Sequence, residues 1–333
     1  MGEKVRVDIA DVPNHVSACL QLALLLEVSA YPKPGNVHRN ADFGDTRYEH
    51  FLASAVALYP HFRNAAARGV GLASGSTSLD KVGVGNIIRD AVESMLCWQR
   101  GGNTLLGAII LLCPLAVAAG KTFSEGKFSL KRLRENLDLI VKSTTVEDAV
   151  AVYDAIEIAK PGGLGHAPSL DVNNPDSKRE ILEKGISLYD VFKIASSYDL
   201  ICREWIENYP VTFDFGYPFF VEVLDETSDI NVATVQTFLK ILAEFPDTLI
   251  ARKAGIEKAR EVSARAKEIL RVGGLKTSEG RRMVYDFDRE LRMKSNLLNP
   301  GTTADILSAV LGLHVLSGYR PVSYTHLRAH ETR

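Results

Sequence analysis

The run Leu105 to Ala119 is apolar for about 15 residues, with Cys113 and Pro114 in its middle. A bilayer-crossing helix needs about 20 such residues, so the run predicts a helix buried in the core of a folded domain. His15 to Ala30 has the same character, with Val16, Leu20, Leu22, Leu24, Leu25 and Leu26 placing apolar groups nearly all round, as a buried helix requires. Helical patterning continues through Tyr48 to Ala67, Leu79 to Arg100, Leu130 to Lys142, Val146 to Ile158 and Tyr189 to Asn208. It resumes in Val232 to Glu244, Thr248 to Leu270, Gly280 to Met293 and Thr303 to Ser317. Thr145 ahead of Glu147 and Asp148 reads as an N-cap with acids in the first turn, and Gly120 and Gly318 read as C-caps. Only Tyr209 to Val223, aromatic and β-branched, is tempting as a strand. The expected fold class is all-α, a single multi-helix globular domain, with Pro161 to Pro175 as its least regular segment.

Composition narrows the functional classes. Hydrophobic residues at 46% and charged residues at 24% exclude a disordered or collagen-like chain. Lys and Arg number 39 against 41 Asp and Glu, a net charge of -2, which argues against nucleic acid as a partner while leaving room for a local basic pocket. Cys19, Cys97, Cys113 and Cys202 lie far apart with no CxxC pair, so they are expected to be reduced thiols in a cytoplasmic protein. The opening Met1-Gly-Glu-Lys4 lacks the pattern of a secretory leader, and no segment is expected to engage a membrane. Residues 321–333 have no periodicity linking them to the helix before and resemble translated sequencing-adapter bases. Residues 1–320 are therefore taken as the helical domain and 321–333 as a non-native tail, despite the i, i+4 spacing of His326 and His330.

Chemistry is concentrated where polar residues, glycine and proline interrupt the apolar helices. In Glu27 to His38, Pro32 and Pro34 stop a helix, and Gly35 with Asn36 can take up positive φ, holding Lys33 on a stiff corner. Asp42, Asp45 and Glu49 follow closely. A fixed lysine beside free backbone N–H groups suits phosphate and nearby carboxylates suit Mg2+, although the same residues also make an ordinary helix end. Gly101-Gly-Asn103-Thr104 before the apolar helix containing Gly107 offers an anion seat at a helix N-terminus, or simply a loop. Pro161-Gly-Gly-Leu-Gly-His166 lets backbone approach a ligand, yet it is neither a Walker A loop nor a dinucleotide fingerprint. Two late helix starts complete the set: Pro246-Asp247-Thr248 with Arg252 one turn on, and Asn299-Pro-Gly301 with Asp305 in the second turn.

Pro32-Lys-Pro-Gly35, Gly102-Asn-Thr104 with Gly107, Pro246-Asp-Thr248 with Arg252, and Asn299-Pro-Gly301 with Ala304-Asp305 occur in this order, and the set resembles the triphosphoribosyl-dephospho-CoA synthase family from about Cys19 to Gly312. The resemblance implies an all-helical fold and a transferase using ATP and 3′-dephospho-CoA as small-molecule substrates. The triphosphoribosyl group of ATP would move to the 2′-hydroxyl of dephospho-CoA with release of adenine. It further implies Lys33, Gly35, Asn36, Gly102, Thr104, Arg252, Asn299 and Gly301 as the nucleotide grip, with Lys33 and Arg252 on the triphosphate. Glu27, Asp45 and Asp305 would hold Mg2+. Asp45 or Asp247 would take the proton of the attacking hydroxyl, and Asn103 or His166 would assist the leaving adenine.

The chain also departs from the family pattern. Asn36-Val-His38 stands where Leu-Val-Asp is usual, and Ala41 to Arg47 replaces Gly-Ala-His-x-Asp-Met-Asp, retaining Asp45 but putting Phe43 for His and Arg47 for Asp. These changes, with the peculiar Pro161 to His166 loop and Asp171, place it in a divergent, archaeal-type branch. A second expectation follows: a Mg-dependent enzyme using a nucleotide or phosphoribosyl compound with another acceptor, as in biosynthesis of a one-carbon carrier coenzyme. A homo-oligomer is compatible with either.

Overall fold

The structure is a computed structural model that describes residues 11–165, 167, 169–293 and 296–321. Among them the chain forms α1 (Val12–Ser29), α2 (Tyr48–Ser74), α3 (Val84–Trp98), α4 (Leu106–Ser124), α5 (Leu130–Lys142), α6 (Val146–Ala159), α7 (Asp176–Lys184) and α8 (Leu188–Ala195). The second half adds α9 (Leu200–Ile206), α10 (Tyr217–Thr227), α11 (Ile230–Glu244), α12 (Thr248–Ala254), α13 (Ile256–Arg271), α14 (Ser278–Arg292) and α15 (Gly301–Leu316). Among the described residues the only β pairing is a single bridge between His38 and Ala41. The expected all-α domain is what the chain forms. Of the proposed tail, residues 322–333 lie outside the described residues.

The apolar run opens the fold's central helix. α4 is long and apolar enough to cross a membrane, but nearly every residue in it is buried against other helices. It touches α1, α2, α3, α5, α9 and α15, and α15 is itself buried along most of its length. Each fully buried Leu or Ile contributes about 1.5–3 kcal/mol, so this pair anchors the core. Backbone contact makes α2 and α4 pack closely. A β-carbon on Gly69 would lie 2.0 Å from the Val117 carbonyl oxygen, and one on Gly120 would lie 2.1 Å from that of Ala66. Gly120 is thus a contact inside α4 rather than the C-cap expected of it; the helix runs on to Ser124.

Other expectations shift for identifiable reasons. The strand-like Tyr209 to Val223 is helical: residues 211–216 form a π turn that leads directly into α10. Buried Glu204 stabilises that turn, accepting from the backbone N–H groups of Val211 (2.8 Å) and Thr212 (3.0 Å) and from the Thr212 hydroxyl. Tyr189 to Asn208 is two helices, because Asp199 caps α9 through the N–H groups of Ile201 and Cys202. Thr248 to Leu270 likewise breaks at Gly255, whose φ of 92° ends α12. Thr145 caps α6 as expected, in a reciprocal arrangement with Asp148.

Candidate functional site

Helix ends far apart in sequence meet at one end of the bundle. The Pro-Lys-Pro-Gly corner leaves the C-terminus of α1, the Gly-Gly-Asn-Thr turn enters α4, and the two late motifs enter α12 and α15. Between them lies a polar cavity of about 410 Å³. It is lined by Glu27, Lys33, Asn36, Asp45, Gly102, Asn103, Thr104, Asn299, Gly301 and Asp305, all of them residues singled out from sequence.

The corner is built from its own chain and braced by α14. The Tyr31–Pro32 bond is cis, and Tyr31 is held by Asn231 through hydrogen bonds of 2.8 and 2.7 Å. Gly35 has φ of 70°, a conformation that favours glycine, and its N–H donates to Asp288 Oδ1 at 2.9 Å. Asn36, buried, donates to the Pro300 carbonyl at 3.4 Å and so ties the corner to the start of α15. Gly35 itself does not line the cavity; a side chain there would meet Leu291 and Pro300. Asp288 Oδ2 also faces His38 Nε2 at 3.3 Å, while Arg292 bonds Asp288 and the carbonyls of Asn36 and Asp42. Burial alone would raise the Asp288 carboxyl, but the hydrogen bonds and charges of His38, Arg292 and the Gly35 N–H outweigh it and hold it below the ordinary value. The Asp288–Arg292 pair was not anticipated; its only sequence signal is the i, i+4 spacing of an acid and an arginine on one helix.

At the cavity wall, Lys33 Nζ donates to the Glu27 carbonyl at 3.0 Å and pairs with the Glu27 carboxylate. Lys33 and Glu27 are 1% and 3% exposed. Burial pushes the Glu27 carboxyl up and the Lys33 ammonium down, each opposed by the other's charge. Asp305 stands close by. Its Oδ1 accepts from the Ala108 N–H at 3.0 Å, in the first turn of α4. Burial, followed by the negative charge of Glu27 and contributions from Asp247 and Asp199, holds its carboxyl well above the usual value. Asn103 Oδ1 caps α4 by accepting from Leu106 N–H at 3.1 Å, and Thr104 is tied to Ser54 of α2 at 2.8 Å. Gly102 carries φ of 74° in the turn between them and the end of α3.

Three expected positions differ in the structure. Asp247 does not line the polar cavity. It is fully buried, with Oδ1 taken by the N–H groups of Leu249 (2.9 Å) and Ile250 (3.1 Å) and Oδ2 by the N–H and hydroxyl of Thr303, both at 2.8 Å. One oxygen caps α12 and the other ties that cap to α15. Arg252 does not line the polar cavity; Lys253 does, together with Lys160. Arg252 pairs with Asp199 and lines an adjoining, mostly apolar cavity of about 220 Å³. Asp45 remains exposed on the lip. Among the described residues no three His, Cys, Asp or Glu side chains gather as a metal site, so Glu27, Asp45 and Asp305 do not form one ready ligand set. His166 lies outside the described residues.

The departures at positions 43 and 47 also find their places. Phe43 is in the cavity wall with the Arg292 guanidinium 5.0 Å from its ring centre, whereas Arg47 is 61% exposed and pairs with Asp42 and Glu49. Lys160 and Lys253 are the cations that sequence reading missed. Lys253 immediately follows Arg252, and Lys160 ends α6 at φ of 43°, just before the glycine-rich loop. Burial lowers the Lys253 ammonium, and its Nζ donates to the Asn296 carbonyl at 3.1 Å.

The family model described as "ATP:dephospho-CoA triphosphoribosyl transferase" matches residues 13–323. A 2-(5″-triphosphoribosyl)-3′-dephosphocoenzyme-A synthase of Klebsiella pneumoniae is 25% identical over 298 residues, 89% of this chain and 88% of that protein. A protein of Streptococcus equi subsp. zooepidemicus named for the same synthase is 28% identical over 305 residues, 90% of this chain and 95% of its own. A crystal structure from Archaeoglobus fulgidus, described as a triphosphoribosyl-dephospho-CoA synthase, shares the fold with a TM-score of 0.61 at 24% identity, covering 82% of this chain and all of that one.

Proposed function

The chain belongs to the ATP:dephospho-CoA triphosphoribosyl transferase family, an enzyme family for which ATP is a substrate, and we propose that it moves the triphosphoribosyl group of ATP onto the 2′-hydroxyl of 3′-dephospho-CoA with release of adenine. The observation that carries this reading is the meeting of Lys33, Lys160 and Lys253 with the carboxylates of Glu27 and Asp305 in one polar cavity at the N-terminus of α4.

In the reaction the hydroxyl oxygen bonds to the anomeric carbon of ATP's ribose and the bond to adenine N9 breaks. The triphosphate stays attached, so it must be held without being cleaved. Lysines and a helix N-terminus supply such a hold, since both favour negative charge. The anomeric carbon gains positive character in the transition state, and a fixed carboxylate already desolvated beside it stabilises that charge. Asp305 suits the role. Standing where the two cavities meet, it is also placed to receive the hydroxyl proton.

Mg2+ would enter with the triphosphate rather than occupy a ready ligand set. Asp45 on the exposed lip is the carboxylate open to it, since that of Glu27 is buried against Lys33, and Mg2+ is commonly held by one or two carboxylates with phosphate and water completing its shell. Asp45 would supply that ligand, and the ion's charge would offset that of the triphosphate. The experiment is direct: ATP, Mg2+ and dephospho-CoA are incubated with the protein, and adenine and the larger coenzyme product are resolved by chromatography. Equimolar adenine and product are expected. Absence of adenine at every dephospho-CoA concentration overturns the reading. Adenine released only with a different hydroxyl compound replaces the acceptor, and Phe43, where the family pattern has histidine, is the first wall residue to vary in that case.

A further inference from the structure

We propose that the apolar cavity beside the polar one receives the adenine base of the donor nucleotide, with Arg252 as the group that hydrogen-bonds the base. The proposal rests on the reading that the polar cavity takes the triphosphate.

The first argument is continuity. Asn103, Leu106, Gly107, Leu249 and Asp305 line both cavities, so the two share a wall. In ATP the triphosphate and the base hang from opposite ends of one ribose. With the triphosphate among the lysines, the ribose falls at the shared wall and the base lies in the apolar space beyond.

The second is size and chemistry. About 220 Å³ is less than the roughly 300–1,000 Å³ of pockets that enclose a whole drug-sized ligand. It suits a flat heterocycle rather than a complete coenzyme. Ile110, Val152, Ile156, Phe192 and Tyr198 supply apolar and aromatic walls that suit the faces of a purine.

The third is an unmet hydrogen bond. Arg252 Nη1 pairs with Asp199 Oδ2, yet its Nε is buried with no partner. Such a buried donor normally has an acceptor. Purine ring nitrogens offer unprotonated lone pairs, and during transfer the electron pair of the breaking C–N9 bond moves into that ring. An N–H donor on a ring nitrogen stabilises the charge arriving there. The proton that completes free adenine replaces the one given up by the acceptor hydroxyl, so the exchange balances. Asp199 keeps the guanidinium in position, and its own Oδ1 is occupied by the N–H groups at the start of α9.

The test uses the full chain and titration calorimetry with four probes: free adenine, inorganic tripolyphosphate, ATP and dephospho-CoA. Ala195, in the wall of the apolar cavity, is replaced in A195F to fill it. The expected result is at least a tenfold loss of affinity for adenine and ATP, with tripolyphosphate affinity within twofold of the parent. R252Q should weaken adenine by about tenfold through the lost charge-assisted bond and lower kcat more than it raises the KM for ATP. K253A should do the converse to the probes, weakening tripolyphosphate and sparing adenine. Circular dichroism identifies a variant that has not folded, and R252Q then decides in place of A195F. Unchanged adenine binding in both variants overturns the proposal, as does a loss confined to dephospho-CoA, which would assign the chamber to the acceptor. A parent protein that binds adenine in this chamber but releases none from ATP and dephospho-CoA refutes the transferase reading alone.

Discussion

Gly107 and Asp305 are in contact so close that a β-carbon on Gly107 would lie 2.0 Å from Asp305 Oδ2. The next residue, Ala108, donates its N–H to the other oxygen of the same carboxylate. The two most apolar helices of the fold, α4 and α15, therefore meet at a single half-buried acid, and that acid stands at the wall shared by both cavities.

Gly107→Ala should push Asp305 out of this position. Overpacking of this kind costs about 1–3 kcal/mol, and displacing the carboxylate by about 1 Å should reduce adenine release on the order of 100-fold. Urea unfolding and an adenine-release assay read the two effects separately. Full activity in this variant would remove Asp305 from the mechanism.

Asp305→Asn should be more stable than the parent at neutral pH while losing activity. The native carboxyl binds its proton more tightly than the unfolded one, because burial and the charge of Glu27 raise its pKa above 3.8. Between 3.8 and that raised value the folded state holds the extra proton, so stability falls as pH rises through the window. Calorimetry without nucleotide should show the variant's Tm above that of the parent near pH 8 and the gap closing towards about pH 4. A gap that widens on acidification contradicts the assignment.

Lys33→Ala should destabilise the protein by about 3–5 kcal/mol, since it leaves Glu27 as a buried, unpaired acid. The double variant Lys33→Met, Glu27→Gln removes both charges and should recover most of that loss without recovering adenine release. Denaturant unfolding of the two variants makes the comparison; equal stability would mean that the pair is not buried as described.

Asp288→Asn should weaken the corner that carries Lys33. The Asp288 carboxyl is held below 3.8, so its contribution is present above the unfolded value and disappears as pH falls through the lowered folded one. The variant should therefore lose Tm at neutral pH, converge with the parent in acid, and show a raised KM for ATP. A changed kcat with an unchanged KM would point to some other role.

Asp247→Ala should act on folding before chemistry. Four hydrogen bonds end on this carboxylate, and loss of a cap together with stranded buried donors costs about 2–4 kcal/mol. A Tm equal to the parent's, combined with abolished adenine release, would reinstate Asp247 as the catalytic base.

The helices were legible because their signals are local. Continuous apolar runs place α1, α4 and α15, and Thr145 with Asp148 marks the start of α6 whatever surrounds it. The motifs were legible for the same reason, since prolines, glycines and capping residues must sit where the helices end, and those ends form the cavity. Where the local signal misled, a distant partner decided: Glu204 turned an aromatic, β-branched stretch into a π turn, and Ala66 made Gly120 a packing contact instead of a cap.

What the amino-acid sequence alone determined is the all-helical fold and the four interruptions that meet at one site. Which side chain faces which space was decided only by tertiary packing. Successive helical residues point about 100° apart, so neighbours Arg252 and Lys253 enter different cavities once α12 is set against α15 and α9. Asp247 and Asp305 are both acids at the starts of late helices; packing saturated the first with hydrogen bonds and left the second desolvated between two cavities. No local pattern carries that difference, because it depends on Thr303, Gly107 and Ala108 arriving from elsewhere in the chain.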